Sequence, residues 1–304
     1  MKLSVIMLTY KHEKFIREAI EGVLMQITDF DFELILLNDD SPDNSDFIIQ
    51  DILQTHSKSH KINYTKHSKN MGMMLNLKYG FLKSKSEYIA VCEGDDYWID
   101  PFKLQKQVNF LDNNPDYVLT FHKVKILKTN GDFVEDFITK VPENYEIIET
   151  IAEKGNYIHT PSIVYRNIIK NFPFEFEITP IGDFFLYLML AEHGKVKYFD
   201  EIMCVYRHGV GIMSRQDELN LIKNNLKTFT CLLSYLKDEK IKKIIFERHS
   251  KAVLKLENYY INKNDKAFVL DSYFFKGLKY ILVNYKNPRN ITKRIKAKLK
   301  LNHF

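Results

Sequence analysis

Three carboxylates fall within four residues at Glu93-Gly94-Asp95-Asp96, just after the apolar run Tyr88-Ile89-Ala90-Val91. Side chains of one charge sign this close repel one another unless a cation neutralises them. A hard divalent ion such as Mg²⁺ or Mn²⁺ takes one or two carboxylates and completes its shell with phosphate oxygens. The chemistry this spacing points to is therefore a metal ion holding a diphosphate. The alternative is an acidic turn that caps the next helix, since Asp is common in turns.

Positioning such a group requires a strand before it and a helix after it. The run from Glu87 to Cys92 reads as a buried strand. Asp100 and Pro101 suit the cap and first residue of a helix. The acidic triplet then sits at the carboxyl end of a core strand, where open α/β sheets bind ligands. Three earlier strands are predicted, at Lys2–Leu8, Phe32–Leu37 and Lys61–Lys66. They alternate with helices over Glu13–Gln26, around Ile48–Leu53, and from Asn70 to about Lys83. That β-α-β-α-β-α-β order implies a largely parallel, doubly wound sheet. No GxGxxG or P-loop pattern follows any strand, which weakens dehydrogenase and NTPase readings.

Further on, a helix over Pro101–Leu111, a strand over Tyr117–Leu127, a polar excursion over Thr129–Val141 and a short helix over Ile147–Glu153 are expected. A strand at Ile158–Tyr165, a helix at Gly182–His193, and two short strands at Lys195–Phe199 and Ile202–Tyr206 close the domain. Beyond about Ser214 the pattern turns helical: Leu219, Ile222, Leu226, Phe229, Leu233 and Leu236 share one face, then Ile241, Ile244, Ile245 and Ala252, then an apolar helix at Phe268–Val283. The expected organisation is a first domain over 1–214, a helical region over 215–285 and a basic tail over 286–304.

The chain of 304 residues has a net charge of +5. Seven Lys or Arg and no acid lie in 286–304, so removing them leaves the remainder at −2. A nearly neutral body argues against a nucleic-acid-binding face. In the tail, Ile291, Ile295 and Leu299 form a narrow stripe among cations, suited either to an anionic membrane surface or to a solvated terminus. No apolar run nears the ~18 residues of a membrane span. The three cysteines show no metal spacing, and the expected location is cytoplasmic, extending to the inner face of a membrane.

In order, Ser4–Tyr10, Asn38–Asp43, Asn70-Met71-Gly72, Glu93–Asp96, Gly182-Asp183 and Tyr206-Arg207-His208 resemble the inverting glycosyltransferases of family 2, which have the GT-A fold. The resemblance covers about residues 1–214. It implies a nucleotide-sugar donor, usually a UDP-sugar, with Mn²⁺ or Mg²⁺ as cofactor. Carried over by position, Asp39 would accept from the N3–H of uracil, and Thr9 and Tyr10 would lie beside the nucleotide. Asn70, Gly72 and Asn76 would complete that wall, with Asn76 facing either nucleotide or solvent. Asp95 would bind the metal, helped by His208, with Glu93 and Asp96 near the ribose or the outer shell. The family usually has Asp where this chain has Glu93. Arg207 would bridge a phosphate or brace a loop. Asp183 resembles the general base that deprotonates the acceptor hydroxyl. The single tryptophan, Trp98, reads as core packing. The Gln-x-x-Arg-Trp motif of processive synthases is missing, which favours a single transfer. The implied function is sugar transfer to an acceptor in surface polysaccharide, lipooligosaccharide or glycolipid synthesis, the acceptor being a glycan or lipid-linked. The alternatives are a sugar nucleotidyltransferase, which would want a Gly-rich basic loop in place of Thr9-Tyr10-Lys11-His12, and a catalytically silent nucleotide-sugar-binding module.

Overall fold

The computed structural model describes residues 1–211 and 213–262. The apolar helix expected at 268–283 and the basic tail lie outside the described residues.

The first half follows the expected alternation. Strands β1 (Leu3–Thr9), β2 (Phe32–Asn38), β3 (Ile62–Lys66) and β4 (Tyr88–Val91) are parallel neighbours. Helices α1 (Ile16–Leu24), α2 (Ser45–Thr55) and α3 (Met73–Lys83) connect them. After β4 come β5 (Tyr97–Trp98), α4 (Lys103–Asn113), β6 (Tyr117–Leu127), β7 (Phe133–Glu135), α5 (Ile148–Lys154), β8 (Val164–Arg166), α6 (Phe174–Ile178), α7 (Gly182–Ala191) and β9 (Lys195–Arg207). The sheet order is β3-β2-β1-β4-β8-β6-β9-β5, with β7 paired on β6. Here β8 runs antiparallel to both β4 and β6, and β9 runs parallel to β6.

Alternation along the strands divides the core between the two faces of the sheet. Val5 and Met7 of β1 face one layer, with Ile16, Ala19, Ile20 and Val23 of α1, Ile49 and Ile52 of α2, and Leu104 and Val108 of α4. Ile6 of β1 faces the other, with Met74 and Phe81 of α3, Ile151 of α5 and most of α7. Each fully buried large aliphatic side chain contributes roughly 1.5–3 kcal/mol. The last two helices, α8 (Glu218–Tyr235) and α9 (Glu239–Asn262), join this second layer through Phe229, Leu232, Ile241 and Ile245. Helix α7 is apolar all round and enclosed, apart from Asp183 in its first turn.

Three expectations are corrected in detail. The strand expected at 158–165 is shortened to β8, because a 3₁₀ turn at Thr160–Ser162 contains Pro161, which has no N–H for a ladder. Pro161 instead accepts from the Trp98 indole at 2.8 Å. The excursion at 129–141 holds a strand, β7, that pairs with β6. The two strands expected at 195–206 are one: Asp200 and Glu201 bulge out where the pairing moves from His122 with Phe199 to Lys123 with Ile202.

Trp98 is a core residue, 2% exposed, as expected. Below it Lys103 is fully buried, its ammonium 4.2 Å from the Trp98 ring and 2.8 Å from the Gln107 side-chain oxygen. Burial pushes its pKa down to about 7. The unfolded chain therefore holds this proton up to about pH 10.4 while the folded chain has lost it. Stability should rise with pH across that window, by at most about 1.4 kcal/mol per pH unit from this group. Lys103→Met should flatten that rise, measured by urea denaturation at several pH values; an unchanged slope would place the ammonium in water.

Candidate active site

The carboxyl ends of β1, β2 and β4 form one edge. At β1, Thr9 is buried and its hydroxyl has no hydrogen-bond partner among the described residues, while its carbonyl accepts from Asp39 N at 3.0 Å. Tyr10 follows with 37% exposure. Lys11 and Asp40, which follow β1 and β2, both have left-handed backbone, at φ 63° and 57°. Non-glycine residues are held there only at a cost of order 1–3 kcal/mol, a strain that gathers where ligands bind.

Asp39 is 4% exposed, and its two carboxylate oxygens accept from the backbone N–H of Met71 at 2.7 Å and Gly72 at 2.9 Å. Asn70 donates to the Asp39 carbonyl at 3.0 Å. Asp39 thus fastens the start of α3 to the end of β2, and Gly72, at φ 85°, makes the turn. Each carboxylate oxygen keeps a further lone pair for a ligand donor. Asn76 does not face solvent: it is 1% exposed, and its side-chain oxygen lies 2.9 Å from His67 Nε2, just past β3. One turn of helix beyond Gly72 points it inward, where it supports the end of β3.

The acidic loop after β4 is held on three sides. Gly94 N donates to the Leu8 carbonyl at 2.9 Å. A Cβ on Gly94 would come within 3.0 Å of that carbonyl and 2.7 Å of His12 Nδ1, so no larger residue fits this close approach. Arg207, at the end of β9, donates its backbone N–H to Asp96 at 2.8 Å and its guanidinium to the Asp95 carbonyl at 2.6 Å. The same guanidinium pairs with Glu18 of α1 and lies over the rings of Phe15 and Tyr97. Of the two roles expected for Arg207, the structure shows the brace. The following loop returns to the acids at Gly211, where a Cβ would come 3.2 Å from Asp95 Oδ2. His208 starts that loop, its ring packed against Phe137 at 5.2 Å.

Four acids are electrostatically joined here. Burial, then Asp95, then Asp183, push Glu93 up to about 8. Burial, then Asp95 and Glu93, hold Asp96 well above the usual carboxylate range, against the opposing pull of Arg207. Asp183 is raised chiefly by burial, while the Phe184 N–H (2.7 Å) and the Asn156 amide (2.6 Å) favour its charged form. The fragments are contiguous, since Met74 of α3 presses on Gly182 next to Asp183. Asp95 and Asp183 are thus linked through Glu93, and the α3 start that Asp39 fastens packs against the start of α7.

Among the described residues no group of three or more His, Cys, Asp or Glu could cage a metal ion alone. The acids instead fit a cation held by one or two carboxylates and completed by a ligand's phosphates: they are crowded and short of positive charge. Three residues here carried no signal in the sequence. His12 Nε2 lies 4.0 Å from Asp95 Oδ2, and its Nδ1 is buried without a partner among the described residues. Asn156 reaches Asp183 from the far side of α5, and Asp136 pairs with His159 at 2.9 Å behind it. All three are brought in by tertiary contacts, which no local spacing announces.

The profile of glycosyl transferase family 2 matches residues 4–187, and the chain belongs to that family. A Mycobacterium tuberculosis protein, Rv1520, is 32% identical over 69% of this chain, which spans 60% of that relative's length. The glycosyltransferase MJ1057 of Methanocaldococcus jannaschii is 27% identical, covering 93% of this chain and 87% of its own. WfgD of Escherichia coli, a UDP-Glc:α-D-GlcNAc-diphosphoundecaprenol β-1,3-glucosyltransferase, is 26% identical over 64% of this chain and 71% of its own. Among solved structures, Staphylococcus aureus TarS with UDP-GlcNAc superposes with a TM-score of 0.65 at 18% identity, covering 93% of this chain and 82% of that one. The Pyrobaculum calidifontis mannosyltransferase PcManGT with GDP-Man and Mn²⁺ gives 0.61 at 14% identity, covering 84% and 72%. The GT-A fold expected from the sequence is thus the fold observed.

Because Arg207 joins α1, the acidic loop and β9, Arg207→Met should cost about 3–5 kcal/mol by leaving buried acids without their cation. Arg207→Lys should recover only part, since an ammonium lacks the planar fork that reaches two partners at once. Chemical denaturation of the three proteins checks both statements; a loss below about 1 kcal/mol for the Met variant would contradict the brace.

Proposed function

We propose that this protein is an inverting glycosyltransferase that moves a sugar from a nucleotide-sugar, a UDP-sugar, to an acceptor hydroxyl in surface-polysaccharide or glycolipid synthesis. The observation that carries this reading is the gathering of Glu93, Asp95, Asp96 and Asp183 at one end of β4 in a family 2 chain. The nucleotide-sugars in the TarS and PcManGT complexes support the donor class.

In this reading the uracil lies along the ends of β1 and β2, with its imide N–H on Asp39 and its ring beside Tyr10. Asp95 holds the cation, with Glu93 and Asp96 behind it; His208 serves as a further ligand once its ring leaves Phe137. When bound, Mn²⁺ or Mg²⁺ would supply positive charge to the diphosphate of the leaving group. The residues do the rest. Asp183, at the start of α7, takes the proton from the acceptor hydroxyl as that oxygen attacks the anomeric carbon opposite the nucleotide. Burial raises its basicity, while the Phe184 N–H and Asn156 fix the carboxylate's orientation and keep it ionised. The Arg207 brace keeps the acidic loop from opening under its own repulsion.

Asp183→Asn should leave UDP affinity intact and cut turnover by ~10²-fold or more. Asp95→Ala should abolish the Mn²⁺-dependent part of UDP binding, read by calorimetry with and without the ion. Incubation with a panel of nucleotide-sugars should release free nucleoside diphosphate from one of them. Release of pyrophosphate from an NTP and a sugar phosphate would instead identify a nucleotidyltransferase.

A further inference from the structure

The ring of His12 is fixed where β1 gives way to α1. Lys11 turns the chain there with its left-handed backbone. The His12 backbone N–H then donates to Ser45 Oγ at 3.1 Å, and its carbonyl accepts from the N–H groups of Phe15 and Ile16 at 2.9 and 2.8 Å. With its backbone committed on both sides, His12 lays its ring against Gly94, where a Cβ would come 2.7 Å from Nδ1. The glycine between Glu93 and Asp95 is therefore what admits this ring to the acidic loop.

The two ring nitrogens meet different surroundings. Nδ1 is buried and has no partner among the described residues. Nε2 faces Asp95, 4.0 Å from Oδ2. A proton on Nδ1 would be a buried donor without an acceptor, and it would leave the Nε2 lone pair facing a carboxylate. A proton on Nε2 meets that carboxylate instead. The imidazolium also carries a proton there, so Nε2 is a donor in either charge state. This argues against His12 as a direct ligand of a cation. A ligating imidazole almost always donates from its other nitrogen, and Nδ1 of His12 has nothing to donate to.

Asp95 has the matching need. Arg207 takes its carbonyl, and no N–H or O–H donates to its carboxylate among the described residues. Its Oδ2 is enclosed between the His12 ring and the backbone at Gly211.

We propose that His12 is a positioning residue for the cation: its Nε2–H holds Asp95 Oδ2, so that Asp95 offers the cation one oxygen, Oδ1, in a fixed orientation. The 4.0 Å separation is longer than a hydrogen bond and closes as Asp95 turns onto the cation. A carboxylate bound through one oxygen takes one place in the ion's shell and leaves the others to phosphate oxygens and water. This rests on the reading of Asp95 as the cation's ligand.

The test is calorimetry on the full chain, giving Mn²⁺ affinity at saturating UDP and UDP affinity in EDTA. The parent is compared with His12→Ala, His12→Asn and His12→Gln. The amide nitrogen of Gln reaches the place of Nε2, and that of Asn reaches only the place of Nδ1. His12→Ala and His12→Asn should weaken Mn²⁺ binding by about 10–100-fold, and His12→Gln should recover most of the loss. All three should keep the parent's UDP affinity in EDTA. Pulsed EPR should find the same nitrogen coupling to Mn²⁺ in the parent and in His12→Gln. If His12→Ala does not fold, the Asn and Gln variants decide alone. Parent-like Mn²⁺ affinity in every variant would overturn the inference, as would Gln faring no better than Asn. Nitrogen coupling lost in His12→Gln would overturn it by making His12 a direct ligand. Equal losses of Mn²⁺ affinity and of UDP affinity in EDTA would reduce His12 to a structural support. A parent whose UDP binding ignores Mn²⁺ would overturn the cation reading itself, and this inference with it.

Discussion

Mutual repulsion of carboxyl groups is the constraint on which this structure turns. Four of them are drawn to the end of β4, three with their ionisation made harder by burial and by one another. No charge within the loop answers them: it contains a glycine and no cation of its own. What does hold them is Arg207, from the far end of the last strand, which grips the loop's backbone and one of its side chains while pairing with α1. One guanidinium thus couples the first helix, the acidic loop and the closing strand. The negative charge that remains is what the proposed cation would answer, a diphosphate completing that cation's shell.

The sheet explains why these groups can meet at all. A parallel β-α-β order brings every strand's carboxyl end to the same edge, so Thr9, Asn38 with Asp39, and Glu93 arrive together although separated by up to 84 positions. The second half changes the pattern. With β8 antiparallel between β4 and β6, the chain returns to α7, with Asp183 half-buried in its first turn. The helix that Asp39 fastens, α3, meets the start of α7 through Met74 on Gly182, next to Asp183. Donor and acceptor sides of the proposed reaction are therefore built from different halves of the sheet.

The helices after β9 share the core of the face that carries α7, so the packing of α7 includes residues beyond those that match the family profile. Arg248 shows the consequence. It is placed by packing on Phe184 and Phe229, and it reaches the backbone of α5 at Ala152. A region with no recognisable code in its sequence thereby touches the residues flanking the candidate base.

The sequence alone determined the alternating first half, the strand that carries the acidic triplet at its carboxyl end, and the family. It could do so because period-2 and period-3.6 patterns and short acidic turns are local properties, written in adjacent residues. Only the tertiary structure decided that Asn76 turns inward onto His67, that Arg207 braces the acidic loop, and that the 195–207 segment is one bulged strand. It alone brought His12 to Asp95 and Asn156 to Asp183. Those outcomes depend on which distant backbone or ring a side chain meets after the sheet has closed, and spacing along the chain carries no record of that.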